Sequence, residues 1–195
     1  MSATSPPLMS SGNSPHVKSQ GSAKERAVAV ERMQKEALAA LPLNSLYIGL
    51  WIRSDPPVAN DFHWAYYFHS RPLGGTKYHI RNLGSGWIVD HEPTNGIFGA
   101  NFLCVLIEIA TVPETKHGEL DQIIRSYDAN VNSIPGVTCR VWLLEVAQKL
   151  IDHGIIHCNS HLELGQECMA IGNQHMHGAS INEQPRPVVK SRLCH

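Results

Sequence analysis

The chain has 195 residues, 43% of them hydrophobic, and sets 16 Lys and Arg against 17 Asp and Glu for a net charge of −1. That is one domain's worth of sequence. The charge balance excludes the positive surplus that a nucleic-acid or polybasic membrane partner requires, and it excludes an acidic tail.

Residues 1–22 are rich in Ser, Pro and Gly and nearly free of large apolar groups. They are expected as a disordered N-terminal tail, without the apolar run of about 7–15 residues that a signal peptide needs. A helix is expected over 23–42, where Ala27, Val30, Met33, Ala37, Leu38 and Leu41 form a stripe that ends at Pro42. It either packs on the domain or hangs from it.

A single α+β domain is expected over 45–177. All thirteen aromatic residues fall between Tyr47 and Trp142, and their large side chains outline the core. Ser45 to Arg53 reads as a strand. Phe62 to His69 alternates Phe62, Trp64, Tyr66 and Phe68 on one face with His63, Ala65, Tyr67 and His69 on the other. His69, beside the turn at Arg71 to Gly75, is expected in solvent. Thr76 to Arg81 and Gly86 to His91 read as further strands. Phe102 to Thr111, apolar on both faces apart from Glu108, reads as a central strand with Cys104 in its core. It falls short of the ~20 apolar residues that span a membrane, so a soluble protein is expected.

Two helices follow, His117 to Asn130 and Thr138 to His153. The second carries Cys139, Trp142, Leu143, Val146 and Leu150 inward and stops at Gly154. Ser160 to Ile171 is expected as a short helix, and 178–195 as a flexible C-terminal tail. Strands grouped before helices give an α+β fold, an antiparallel β meander packed against helices.

Twelve histidines and five cysteines stand out in the composition. An odd cysteine count without regular spacing is unlike a secreted disulfide scaffold, so a reducing, cytoplasmic setting is expected. Cys139 opens a helix, where the partial positive charge of the N-terminus favours a thiolate and free N–H groups can hold an oxyanion. A nucleophilic thiol also needs a base. If the register sets odd positions opposite odd ones, His63 and His79 share a sheet face and can supply it. Asp90 or His91 is an alternative partner in place of His79. The bland reading of Cys139 is a small buried hydrophobe.

His63-Trp64 in a strand, Tyr78-His79-Ile80 on the next, and a later Cys139 opening a helix resemble the circularly permuted papain-like thiol enzymes. The closest comparison is the lecithin:retinol acyltransferase-like group with its permuted NlpC-type relatives. The pattern is also similar to that of fungal proteins with an His-Trp strand and a Cys-x-x-Trp helix. The resemblance covers about Tyr47 to Ile156. It implies a permuted papain-like fold, with Cys139 as nucleophile, His63 as general base and His79 as the residue that orients it. The implied activity is hydrolysis or acyl transfer on an amide, ester or thioester of a small-molecule or peptide substrate, without a cofactor. Thr138 and Arg140 stand where that group carries Asn and a polar or acidic residue. This departure grounds an alternative, a catalytically inactive interaction or scaffold protein of the same fold.

A third reading is a zinc-binding module on His157, Cys158, His161, Cys168, His175 and His177, soft donors at high density but with spacings unlike a known finger. His175 and His177 would chelate together only in an extended segment. Oligomeric state stays open.

Overall fold

The computed structural model describes residue 1 and residues 18–194, the side chains of 18–22 aside. Residues 2–17 of the expected tail over 1–22 lie outside the described residues, whereas 18–22 are helical backbone, so the first helix begins ahead of the expected 23. Helix α1 runs Lys18–Ala39, and strands β1 (Ser45–Ile52), β2 (Phe62–Arg71), β3 (Gly74–Tyr78), β4 (Ile80–Asn82), β5 (Trp87–Val89), β6 (Glu92–Thr94) and β7 (Leu103–Thr111) follow. Helices α2 (His117–Ile124), α3 (Cys139–Asp152) and α4 (His161–Ser180) come next, and β8 (Val188–Lys190) closes the series. The fold is α+β. Six strands form one sheet in the order β6-β3-β2-β1-β7-β8, antiparallel except for the β7–β8 pair, while β4 and β5 form a separate two-stranded ribbon.

The period-2 pattern of β2 sorts its residues onto two buried faces. Phe62, Trp64, Tyr66 and Phe68 enter the larger core, built with Trp142, Leu143, Val146 and Leu150 of α3 and Leu164 and Cys168 of α4. Burying a side chain of this size stabilises the fold by about 1.5–3 kcal/mol. Ala65 and Tyr67 enter a second core closed by Leu38, Leu41, Ile97 and Phe98. The N-terminal helix thus packs on the domain through its last turn. This cover corrects the expected exposure of His69: it is 1% exposed, and its Nδ1 lies 2.8 Å from the Tyr67 hydroxyl.

Two glycines shape the helical layer. Gly154 takes the left-handed conformation (φ 62°) that ends α3, and the Ile155 N–H returns to the Leu150 carbonyl at 2.9 Å. Gly172 lets α4 approach the sheet, because a Cβ there would sit 2.9 Å from the Phe62 ring. Cys104 closes the same contact, its sulfur 3.4 Å from the Gly172 carbonyl.

The C-terminal region departs furthest from expectation. Residues 178–195 were expected as a flexible tail. Instead α4 continues to Ser180, β8 pairs in parallel with Leu106 to Glu108 of β7, and Cys194 is disulfide-bonded to Cys158. Ser191 and Arg192 are further tied to the Glu167 carboxylate, at 2.5 Å and 2.7 Å. The odd, irregularly spaced cysteines thus include one bonded pair, while Cys104, Cys139 and Cys168 are free thiols. Only a tertiary meeting of two distant segments makes the bond.

Candidate functional site

The site is built where β3 leaves the sheet. Tyr66 pairs with Tyr78 and Tyr67 with Lys77, odd opposite odd. Beyond Tyr78 the chain turns away, and β4 pairs with β5 instead. Residues 62–65 of β2 consequently have no β3 partner, and the first turn of α3 comes to that open edge. The Tyr66 hydroxyl holds α3 there by donating to the Leu143 carbonyl at 2.8 Å, and Trp142 packs edge-on against Tyr66. Thr138 caps the helix, its Oγ1 accepting from the Val141 N–H at 3.1 Å.

Cys139 is the first residue of α3, 6% exposed, with its sulfur 3.9 Å from the Phe62 carbonyl. Burial pushes its thiol above the ordinary value, against the opposing pull of the Trp64 N–H, the Arg53 guanidinium and the N–H groups of Arg140 and Cys139. Its neighbours Thr138 and Arg140 are both exposed, so the sulfur lies close beneath the surface.

His63, half-buried on β2, and His79, at the β3–β4 break, meet with Nε2 and Nδ1 2.9 Å apart. Burial lowers both, with help from the nearby Lys77 cation, His63 to about 4 and His79 to about 3. Both rings are therefore neutral near pH 7. Among the described residues, Cys139 makes no hydrogen bond to either ring. His63 belongs to the sheet face that carries Trp51, with ring centroids 6.1 Å apart, whereas Cys139 packs with the opposite core. The open edge is where the two faces meet.

Around His79 lies a polar network that reaches beyond the three expected residues. Asp90 Oδ2 is 3.5 Å from His79 Nε2 and 3.0 Å from Arg81 Nε. His91 accepts from the His79 N–H at 3.2 Å and reaches Asp128 with its other ring nitrogen at 3.1 Å. The sequence marks Asp90 and His91 as substitutes for His79. The structure adds both to it. Asp128, in the turn after α2, has no sequence signal that separates it from a solvated loop carboxylate.

The alternative zinc set does not assemble. Cys158 is spent in the disulfide, and Cys168 points into the core from α4 with no exposure. His175 and His177 lie on a helix, where residues two apart diverge. Among the described residues, no group of three or more His, Cys, Asp or Glu side chains is placed to hold a metal ion. Nor is any helix among them long and apolar enough to cross a membrane.

No curated protein and no solved structure matches the chain. Residues 51–157, which run from the end of β1 past the stop of α3 and contain His63, His79, Asp90 and Cys139, match DUF6540. The chain therefore belongs to DUF6540, a family of unknown function.

Proposed function

We propose that the protein is a cysteine-dependent hydrolase or acyltransferase of permuted papain-like architecture. Its substrate is a small molecule or peptide carrying an amide, ester or thioester. The observation that carries this reading is the 2.9 Å contact between His63 and His79 beside the open β2 edge to which α3 delivers Cys139. His63 takes the proton of the Cys139 thiol, and the sulfur attacks the substrate carbonyl. The N–H groups at the start of α3 stabilise the oxyanion. The leaving group departs with the proton from His63, and the acyl group remains on sulfur as a thioester. Water or a second nucleophile then attacks that thioester, giving up its own proton through His63 and restoring the thiol. His63 is neutral near pH 7 and so open to a proton, but burial makes its ring a weak base and raises the Cys139 thiol, so the transfer is uphill until substrate binds. The Cys158–Cys194 bond fits an oxidising setting better than the cytoplasm expected from cysteine spacing.

A second reading has its own observation. Among the described residues the buried Cys139 makes no bond to a histidine, and its thiol is raised, as in a catalytically inactive scaffold of the same fold. Incubation with p-nitrophenyl acetate and with acyl thioesters, followed by peptide mass mapping, separates the two. The enzyme reading expects one acyl group on Cys139, turnover to free acid, and neither in Cys139→Ser. Absence of label on Cys139 in the folded protein overturns it in favour of the scaffold.

A further inference from the structure

The histidine pair is the near end of a longer chain of polar groups. His79 Nε2 is buried and makes no hydrogen bond among the described residues. The acceptor it faces is Asp90 Oδ2, a long contact of 3.5 Å, and the same oxygen takes the Arg81 guanidinium at 3.0 Å. The backbone fixes Asp90 in that place. Its N–H donates to the His79 carbonyl at 2.9 Å, and the adjoining residues Ile80 and Val89 pair across the ribbon. His91, one residue on, accepts from the His79 N–H through Nδ1 at 3.2 Å and meets Asp128 through Nε2 at 3.1 Å. His79 is thus gripped at its ring, its N–H and its carbonyl.

Proton placement along this chain has one consistent solution. A carboxylate only accepts, so the nitrogen of His79 that faces Asp90 carries the ring's hydrogen. A neutral imidazole has a single N–H, so His79 Nδ1 is an acceptor and His63 Nε2, 2.9 Å away, is the donor. His63 Nδ1 is left as a bare lone pair. The reverse order sets the lone pair of His79 Nε2 against a carboxylate oxygen in a buried setting, where such repulsion is poorly screened. His91 obeys the same rule: its Nδ1 accepts, so its proton sits on Nε2 against Asp128.

We propose that Asp90 is a positioning residue that, through His79, holds His63 in the Nε2–H tautomer and presents Nδ1 as its proton acceptor, with His91 and Asp128 buttressing His79. The catalytic meaning of this assignment rests on the reading of His63 as a base. The tautomers themselves do not. Long-range proton–nitrogen correlation spectra of the 15N-histidine-labelled full chain, recorded near neutral pH, read them directly. The expected result is a proton on Nε2 of His63, His79 and His91. Asp90→Ala turns His63 and His79 into tautomer mixtures and slows acylation of Cys139 by p-nitrophenyl acetate about tenfold or more. Asp90→Asn, which keeps an oxygen for Arg81 and His79 and guards against a folding failure of the alanine variant, retains the wild-type tautomers. A proton on His63 Nδ1 in the unaltered protein overturns the proposal, as do unchanged tautomers in a folded Asp90→Ala. If Cys139 is never acylated while the expected tautomers are found, the enzyme reading fails and the role of Asp90 as tautomer anchor stands.

Discussion

Two regions of this molecule are dense in histidine and cysteine, and they end in opposite ways. His63, His79, His91 and Cys139 are spread over almost eighty positions yet gather around one edge of β2. His157, Cys158, His161, Cys168, His175 and His177 occupy a short stretch, and the fold scatters them. The difference lies in secondary structure. Strands that pair side by side bring distant positions within a few ångströms, and the break at His79 then opens a place for a helix terminus. A helix such as α4 does the reverse, because successive side chains turn by about 100° and only positions three or four apart face each other. Density along a chain is therefore a poor guide to a site.

Removing one histidine from each region, and following acylation of Cys139 by p-nitrophenyl acetate, separates their roles. His63→Ala lowers the rate by about 10²–10⁴-fold, the usual contribution of a positioned general base. His175→Ala leaves it unchanged, since that residue lines a cleft with Glu183, Pro185 and Arg186 of the C-terminal segment. Circular dichroism of both variants controls for folding. Equal losses in the two variants would falsify the division between the regions, and equal retention would remove His63 as the base.

The second test concerns what the C-terminal region does if it holds no metal. Its cysteine is structural: the Cys158–Cys194 bond closes a 36-residue separation and fastens β8 to the sheet edge. Loop closure of this length stabilises by roughly 4 kcal/mol, so Cys158→Ser combined with Cys194→Ser lowers Tm by roughly 10 °C. A reductant lowers the Tm of the parent protein similarly and leaves that of the double variant where it is. Identical melting of the parent with and without reductant sinks this assignment.

The same contrast explains what the sequence made legible. The faces of β2, the placement of Cys139 at the opening of α3 and the stop at Gly154 all follow from local period and capping, which neighbouring residues alone determine. The departure of β4 and β5 from the main sheet does not, because a Tyr-His-Ile stretch reads as one continuous strand until its partner is known. His69 shows the same limit. Alternation assigns it a face, but whether that face meets water depends on the cover that Leu38 of α1 and Leu41 just beyond it bring to the second core. Within the site, the His63–His79 pair was within reach of register reasoning. Asp128 was not, since it approaches His91 only through the packing of the turn after α2 against the ribbon.

The smallest expected effect is on stability against acid, and it separates the buried histidines from a solvated set. Burial lowers His63 to about 4 and His79 to about 3 from an ordinary value of 6.5, and it lowers His69 and His91 as well, with Asp128 partly offsetting the effect at His91. On acidification below 6.5 the unfolded chain takes up protons that the native rings refuse. Native stability is then complete above about pH 6.5 and falls as the pH drops through about 4 for His63 and on to about 3 for His79. Urea unfolding at intervals between pH 7 and pH 4 measures this slope. His63→Gln, which keeps a hydrogen-bonding side chain opposite His79 but no longer titrates, makes the slope shallower without abolishing it, because three buried rings remain. A slope unchanged by His63→Gln means that the His63 ring is hydrated and free to charge in the native state. Its pairing with His79 would then be too loose to fix a tautomer, and the line from Asp90 through His79 would end short of His63.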